Sequence, residues 1–100
     1  MDKMLRSISK YPNGTLLVIE LQDGGIISGE IDTIYETNNE LEPNDKDYQE
    51  FKACLLTIVD IIKHSKETGP YVIGDLMEIS IQNPPLKILL KDGEPIWEKV

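Results

Sequence analysis

Apolar and polar residues alternate along most of this chain, and glycine turns punctuate the alternation. Residues 15–21 are rich in branched side chains and lie between turn signals, which predicts a strand. Residues 26–35 continue the pattern, with Ile27, Gly29, Ile31 and Thr33 on one side and Ile26, Ser28, Glu30 and Asp32 on the other. Between them Leu21-Gln22-Asp23-Gly24-Gly25 reads as a tight turn, and Gly29 marks a bend in the second strand. Residues 76–82 alternate Met77, Ile79 and Ile81 against Glu78, Ser80 and Gln82, a half-buried strand that Asn83-Pro84-Pro85 terminates. Residues 86–91 and 94–99 form a last hairpin across Asp92-Gly93, read as a favoured two-residue turn, and Pro95 assigns the final strand to a sheet edge.

Two segments are ambiguous. Residues 1–9 fit a short frayed helix, or a strand over residues 7–10, ahead of a turn at Tyr11-Pro12-Asn13-Gly14 in which Pro12 presets the second position. In residues 48–66 Tyr48, Phe51, Leu55, Val59 and Ile62 recur at helical spacing, Asp47 and Glu50 match a capping box, and Gly69-Pro70 would stop a helix. Against that, residues 55–62 are apolar on every side and heavy in β-branched residues, as in a central strand covered on both faces. A single turn over residues 47–51 followed by a strand over residues 53–63 reconciles the two. The fold class expected is mainly β: a small, strongly bent antiparallel sheet, or an SH3/Sm-like barrel, of five to six strands. The alternative is α+β, a sheet with one helix at about 48–66.

The order of elements resembles the Sm-like and SH3-like small β-barrels, mainly over residues 15–40. Leu21, Gly24, Gly29 and Ile31 occupy the places of the first Sm motif, and Asn39 that of its asparagine. Tyr35 stands where the family has aspartate, and the Arg-Gly of the second motif is absent near residues 79–83. The resemblance implies a barrel bent at Gly29. It does not carry the family's RNA site to this chain, and it allows a homo-oligomeric scaffold joined through edge strands, with or without RNA.

With 100 residues, the chain has the length of one domain, residues 1–100. Eighteen Asp and Glu stand against ten Lys and Arg, a formal charge of −8, which argues against a nucleic-acid partner because no basic stripe offsets it. A lone cysteine, Cys54, fits a reducing, cytoplasmic setting, and no segment approaches the roughly 20 apolar residues of a membrane helix. His64 is the single histidine and reads as an exposed loop residue, while Cys54 reads as a buried apolar one. Neither makes a nucleophile–base pair by its neighbours, so no catalytic residue, metal ligand or cofactor is assigned.

The remaining chemistry lies in residues 37–50, read as a loop. Glu36, Glu40, Glu42, Asp45, Asp47 and Glu50 crowd it with one lysine, Lys46, and Tyr35, Tyr48 and Phe51 flank the charges. It lacks the glycine of a calcium-binding turn. Acidic charge with embedded aromatics suits a basic protein surface, so Glu42, Asp45, Asp47, Tyr48 and Glu50 are the expected partner-binding residues. The function expected is a non-enzymatic interaction module of the immunity or antitoxin kind.

Overall fold

The structure is a computed structural model that describes residues 2–65 and 71–100. The chain runs α1 (Lys3–Ile8), β1 (Leu16–Glu20), β2 (Ile26–Asn38), β3 (Glu50–Lys63), β4 (Leu76–Ser80), β5 (Lys87–Leu90) and β6 (Pro95–Glu98). All six strands form one antiparallel sheet in the order β4-β3-β2-β1-β5-β6. The chain is thus mainly β.

The ambiguous N-terminus is a helix. Asp2 caps it, its carboxylate accepting the Leu5 N–H at 2.9 Å, and Met4, Leu5 and Ile8 turn one buried face to the sheet. A helix of six residues does not stand alone in water, so its packing against β3 and β6 holds it. The following turn is displaced by one residue from the expected position. Thr15 N–H reaches Pro12 C=O at 3.2 Å, so Pro12 opens the turn and Gly14, at φ 90°, takes its third position.

Residues 48–66 resolve in favour of extended chain. Strand β3 begins at Glu50, so the expected turn over residues 47–51 is replaced by turns ending at Asp47, and the helix alternative is not adopted over the described residues. The reason is pairing: β3 bonds to β2 on one side and β4 on the other. Alternation turns Cys54, Leu56 and Ile58 into the core while Leu55, Thr57 and Val59 stay half-buried on the opposite face, not the cover on both faces expected. The proposed stop at Gly69-Pro70 lies outside the described residues.

The two glycine hairpins are built alike. Leu21 and Leu90 each accept a hydrogen bond from the glycine three residues on, Gly24 and Gly93, whose φ angles are 91° and 93°. Each leucine N–H donates to the residue four further along, so the Asp92-Gly93 connection is three residues long rather than two. Asp23 and Asp92 accept the N–H two residues ahead, at 2.9 Å in both.

Bending comes from β2 and β3, whose register slips at Ile26/Ile27, Ser28/Gly29 and Ile31/Thr33. A Cβ on Gly29 would sit 3.3 Å from the Thr57 carbonyl oxygen and 3.4 Å from Leu56 Cβ, a tight fit that a side chain would meet by pushing the strands a few tenths of an ångström apart. The core gathers Leu5, Ile8, Leu17, Ile19, Ile27, Leu56, Ile79 and Ile88 inside the bend.

The sheet alternative holds and the barrel does not form. Among the described residues β4 and β6 stay unpaired to each other. Ser80 and Asn83 bridge back on the outer side of β4, and Leu86 N–H then bonds Glu20 C=O at 2.7 Å, sending the chain to the far side of β1. The bent sheet therefore keeps a seam. Tyr71 packs at its end, donating to the Asp23 carboxylate, and a Cβ on Gly25 would lie 2.7 Å from its ring.

Candidate functional site

β2 and β3 outrun their neighbours. β1 pairs with β2 only as far as Glu30, and β4 pairs with β3 only as far as Ala53. The rungs Glu36–Lys52, Thr37–Phe51 and Asn38–Glu50 therefore form a two-stranded arm, and the molecule measures 43 Å along its longest axis. The acidic loop sits at its tip. The strands reach further into this region than expected, so the loop proper is residues 39–49.

The tip is ordered from within, and Asn39 is its centre. Asn39 N–H bonds Gln49 C=O at 3.1 Å, its Nδ2 donates to Asp47 C=O at 2.8 Å, and its Oδ1 accepts the Gln49 N–H at 3.2 Å. Glu40, at φ 66°, occupies a conformation that asparagine-type turns favour, held as its N–H donates to Asn38 Oδ1 at 2.8 Å.

The five expected binding residues fall on one connected run. Asp45 N–H bonds Glu42 C=O at 2.9 Å, Tyr48 N–H bonds Asp45 C=O at 3.0 Å, and Asp45 Oδ1 accepts the Asp47 N–H at 2.9 Å. Tyr48 donates its hydroxyl to Glu50 Oε1 at 3.1 Å. Its pKa is raised, first by partial loss of hydration and then by the Glu50 bond and charge, so the phenol stays protonated. Glu42, Asp45, Asp47 and Glu50 are exposed, and Tyr48 is half-buried. Their carboxylates present a negative rim whose backbone is already fixed, which lowers the entropy lost on docking.

Three residues outside the expected set complete the rim. Glu36 and Glu50 wall a shallow cleft of about 210 Å³ with Thr37, Asn38 and Tyr48. Gln82 Nε2 donates to Gln49 Oε1 at 2.9 Å, tying the tip to the chain leaving β4. Glu78, on β4, accepts the Tyr35 hydroxyl, and that bond is the largest reason the Tyr35 pKa is pushed up to about 12. The Asn38-Asn39 pair was the local signal for the organised tip; the contacts to Gln82 and Glu78 cross 33 and 43 residues and leave no local trace.

A second concavity, of about 400 Å³, lies in the seam, lined by Leu21, Gln22, Asp23, Tyr71, Met77, Ile79, Asn83 and Pro84. The catalytic candidates are not brought together. Cys54 is fully buried, and burial is the main cause that pushes its thiol up to about 11, so no thiolate forms near neutrality. His64 is exposed just past the end of β3, ten positions along the chain from Cys54, or roughly 30 Å of extended strand. Among the described residues no group of three or more His, Cys, Asp or Glu is placed to hold a metal ion, and no helix is long and apolar enough to cross a membrane.

An open β-sheet with an ordered, projecting acidic rim is the framework of a protein-interaction module. The chain belongs to the cognate immunity protein YxxD family, whose model matches residues 1–100. No curated protein and no solved structure matches it. The family fits a binding role toward a protein partner, and the immunity-type module expected from the acidic composition agrees with it.

Proposed function

We propose that this protein neutralises its cognate toxin by direct, stoichiometric binding, without catalysis, and that the acidic rim meets a basic face of the toxin. The observation that carries this reading is the immunity-family match over residues 1–100. The rim supplies the mechanism. Its carboxylates stand on the narrow end of a chain with a formal charge of −8, so a basic toxin is drawn to this end before contact. Fixed by Asn39, the rim then docks with little reordering. The single buried Cys54 suits work in the cytoplasm, before or after a toxin reaches its target there.

The test uses the toxin co-expressed with the protein and purified as the complex. Glu42→Lys, Asp47→Lys and Glu50→Lys are combined, and Asp45→Asn serves as the control that keeps the turn acceptor while removing one charge. The triple variant is expected to fold, to lose at least about a hundredfold in toxin affinity and to fail to protect cells, because juxtaposed like charges cost several kcal/mol. The single variant loses about tenfold or less. Unchanged affinity in the triple variant, together with insensitivity to salt between 50 and 500 mM, overturns the assignment of the rim.

A further inference from the structure

The two edges of the sheet are finished differently. β6 is short, begins with Pro95, which has no N–H to offer, and has α1 packed against it. β4 has no proline or lysine in it, and among the described residues no helix lies along it. Its outward-facing groups can be assigned from the ladder. Asp75 C=O accepts from Ile58 on β3, and Ser80 exchanges both its backbone bonds with Asn83, at 3.1 and 3.4 Å. The Asp75 C=O and the backbone of residues 77 and 79 therefore face β3, while the Asp75 N–H bonds Val72 C=O at 3.1 Å and residues 76, 78 and 80 turn away. Asn83 occupies Ser80, and its Nδ2 lies 3.5 Å from Glu78 C=O. The Leu76 N–H and C=O and the Glu78 N–H point outward with no strand beyond them among the described residues.

The surroundings of that edge are apolar and continuous with the rim. Leu76 is 59% exposed, and Val72 and Ile73, at 53% and 60%, stand just before it. Tyr35 binds Glu78 on the same strand, and Gln82, two residues past β4, binds Gln49 in the acidic tip. A surface thus runs from an unpaired edge to a negative rim.

We infer that the β4 edge receives an extended segment of the toxin by strand addition, with apolar side chains against Leu76 and Ile73 and basic ones toward Glu78 and the rim. This rests on the function proposed above and names a second part of the same interface. Backbone pairing supplies affinity that does not depend on charge, while the rim selects a basic partner. A second copy of this chain is disfavoured as the occupant, because two chains of charge −8 repel.

The test is amide hydrogen exchange on the complex with co-expressed toxin. Addition of toxin is expected to slow exchange at the Leu76 and Glu78 amides at least tenfold, while the Met77 and Ile79 amides, already bonded to β3, change little. Leu76→Pro deletes one outward donor and leaves the β3 ladder intact; about a tenfold loss of affinity is expected. Complex formation without added protection at residues 76 and 78 overturns the edge and leaves the rim standing. Loss of affinity in the rim variant with protection retained in the wild-type complex supports both. Slow exchange at these two amides in the free protein, with a dimeric mass by light scattering, overturns the inference in favour of self-pairing. Absence of any toxin complex overturns the function and this inference with it.

Discussion

The two halves of the β2–β3 ribbon are made from the same pair of strands and do opposite things. In the inner half, Ile27, Ile31, Leu56 and Ile58 join the hydrophobic core at 3% exposure or less. In the outer half, Glu36, Asn38 and Glu50 face water, and among the described residues no third strand pairs with the rungs beyond Ala53. The inner half holds its shape by burying apolar surface; the outer half does so by local hydrogen bonds around Asn39. The lesson is a separation of tasks. Stability is concentrated in the inner half, and the charges proposed to meet the toxin stand where replacing them uncovers no core.

The strongest way to break this comparison is to cut into the inner half. Leu56 is fully buried and pairs with Ile31 on one side and Met77 on the other. Leu56→Ala is expected to cost about 2–5 kcal/mol, a large share of the 5–15 kcal/mol typical of such a domain. Denaturant unfolding measures it. The folded fraction is expected to bind toxin as tightly as wild type, because Leu56 is paired with Ile31 and Met77 and not with the residues of the acidic tip. A loss of affinity in fully folded protein would show that the two halves are coupled.

Asn39→Ala acts on the other half. It deletes the bonds to Asp47 C=O and from the Gln49 N–H and leaves every carboxylate in place. Global stability is expected to fall by about 1 kcal/mol or less, since the arm is exposed. Toxin dissociation is expected to quicken severalfold while association, set by charge, holds steady. Surface kinetics separates the two rates. An unchanged dissociation rate would mean that the order of the tip is irrelevant to binding.

How much of this was legible in the sequence follows the same division. Alternation at residues 76–82, the Asp-Gly turns and the β-branched run at residues 55–62 are local signals, and each marked a real strand or turn, though β4 ends at Ser80 and the Asp92-Gly93 connection is one residue longer than expected. The helical spacing of Tyr48, Phe51, Leu55, Val59 and Ile62 misled because residues four apart share a strand face as well as a helix face, and Phe51, Leu55 and Val59 lie half-buried on one side of β3. The open seam was invisible for a related reason. Closure depends on where the chain goes after Pro84 and Pro85, and that is set by Leu86 bonding Glu20, 66 positions back along the chain. The acidic residues were read off directly and most of their bonds are local, but the ties to Gln82 and Glu78 come from far along the chain.

The smallest expected effect sharpens the boundary between the halves. Tyr35 sits at the root of the arm, and its hydroxyl donates to Glu78, which with partial burial pushes the phenol up to about 12 from an ordinary 10.0. The neutral phenol is the form the fold favours. Its contribution is therefore fully present below pH 10, where the unfolded chain also keeps the proton, and is lost as pH rises through about 12. Because the pair is close to solvent, screening holds that contribution below about 1 kcal/mol. Spectrophotometric titration of wild type and Tyr35→Phe is expected to differ by one phenol that ionises near 12, and their stabilities are expected to converge at that pH. Ionisation of this phenol near 10 would show that the Tyr35–Glu78 bond does not persist in solution. The arm would then be anchored to β4 by the Gln49–Gln82 bond and the β3–β4 ladder alone.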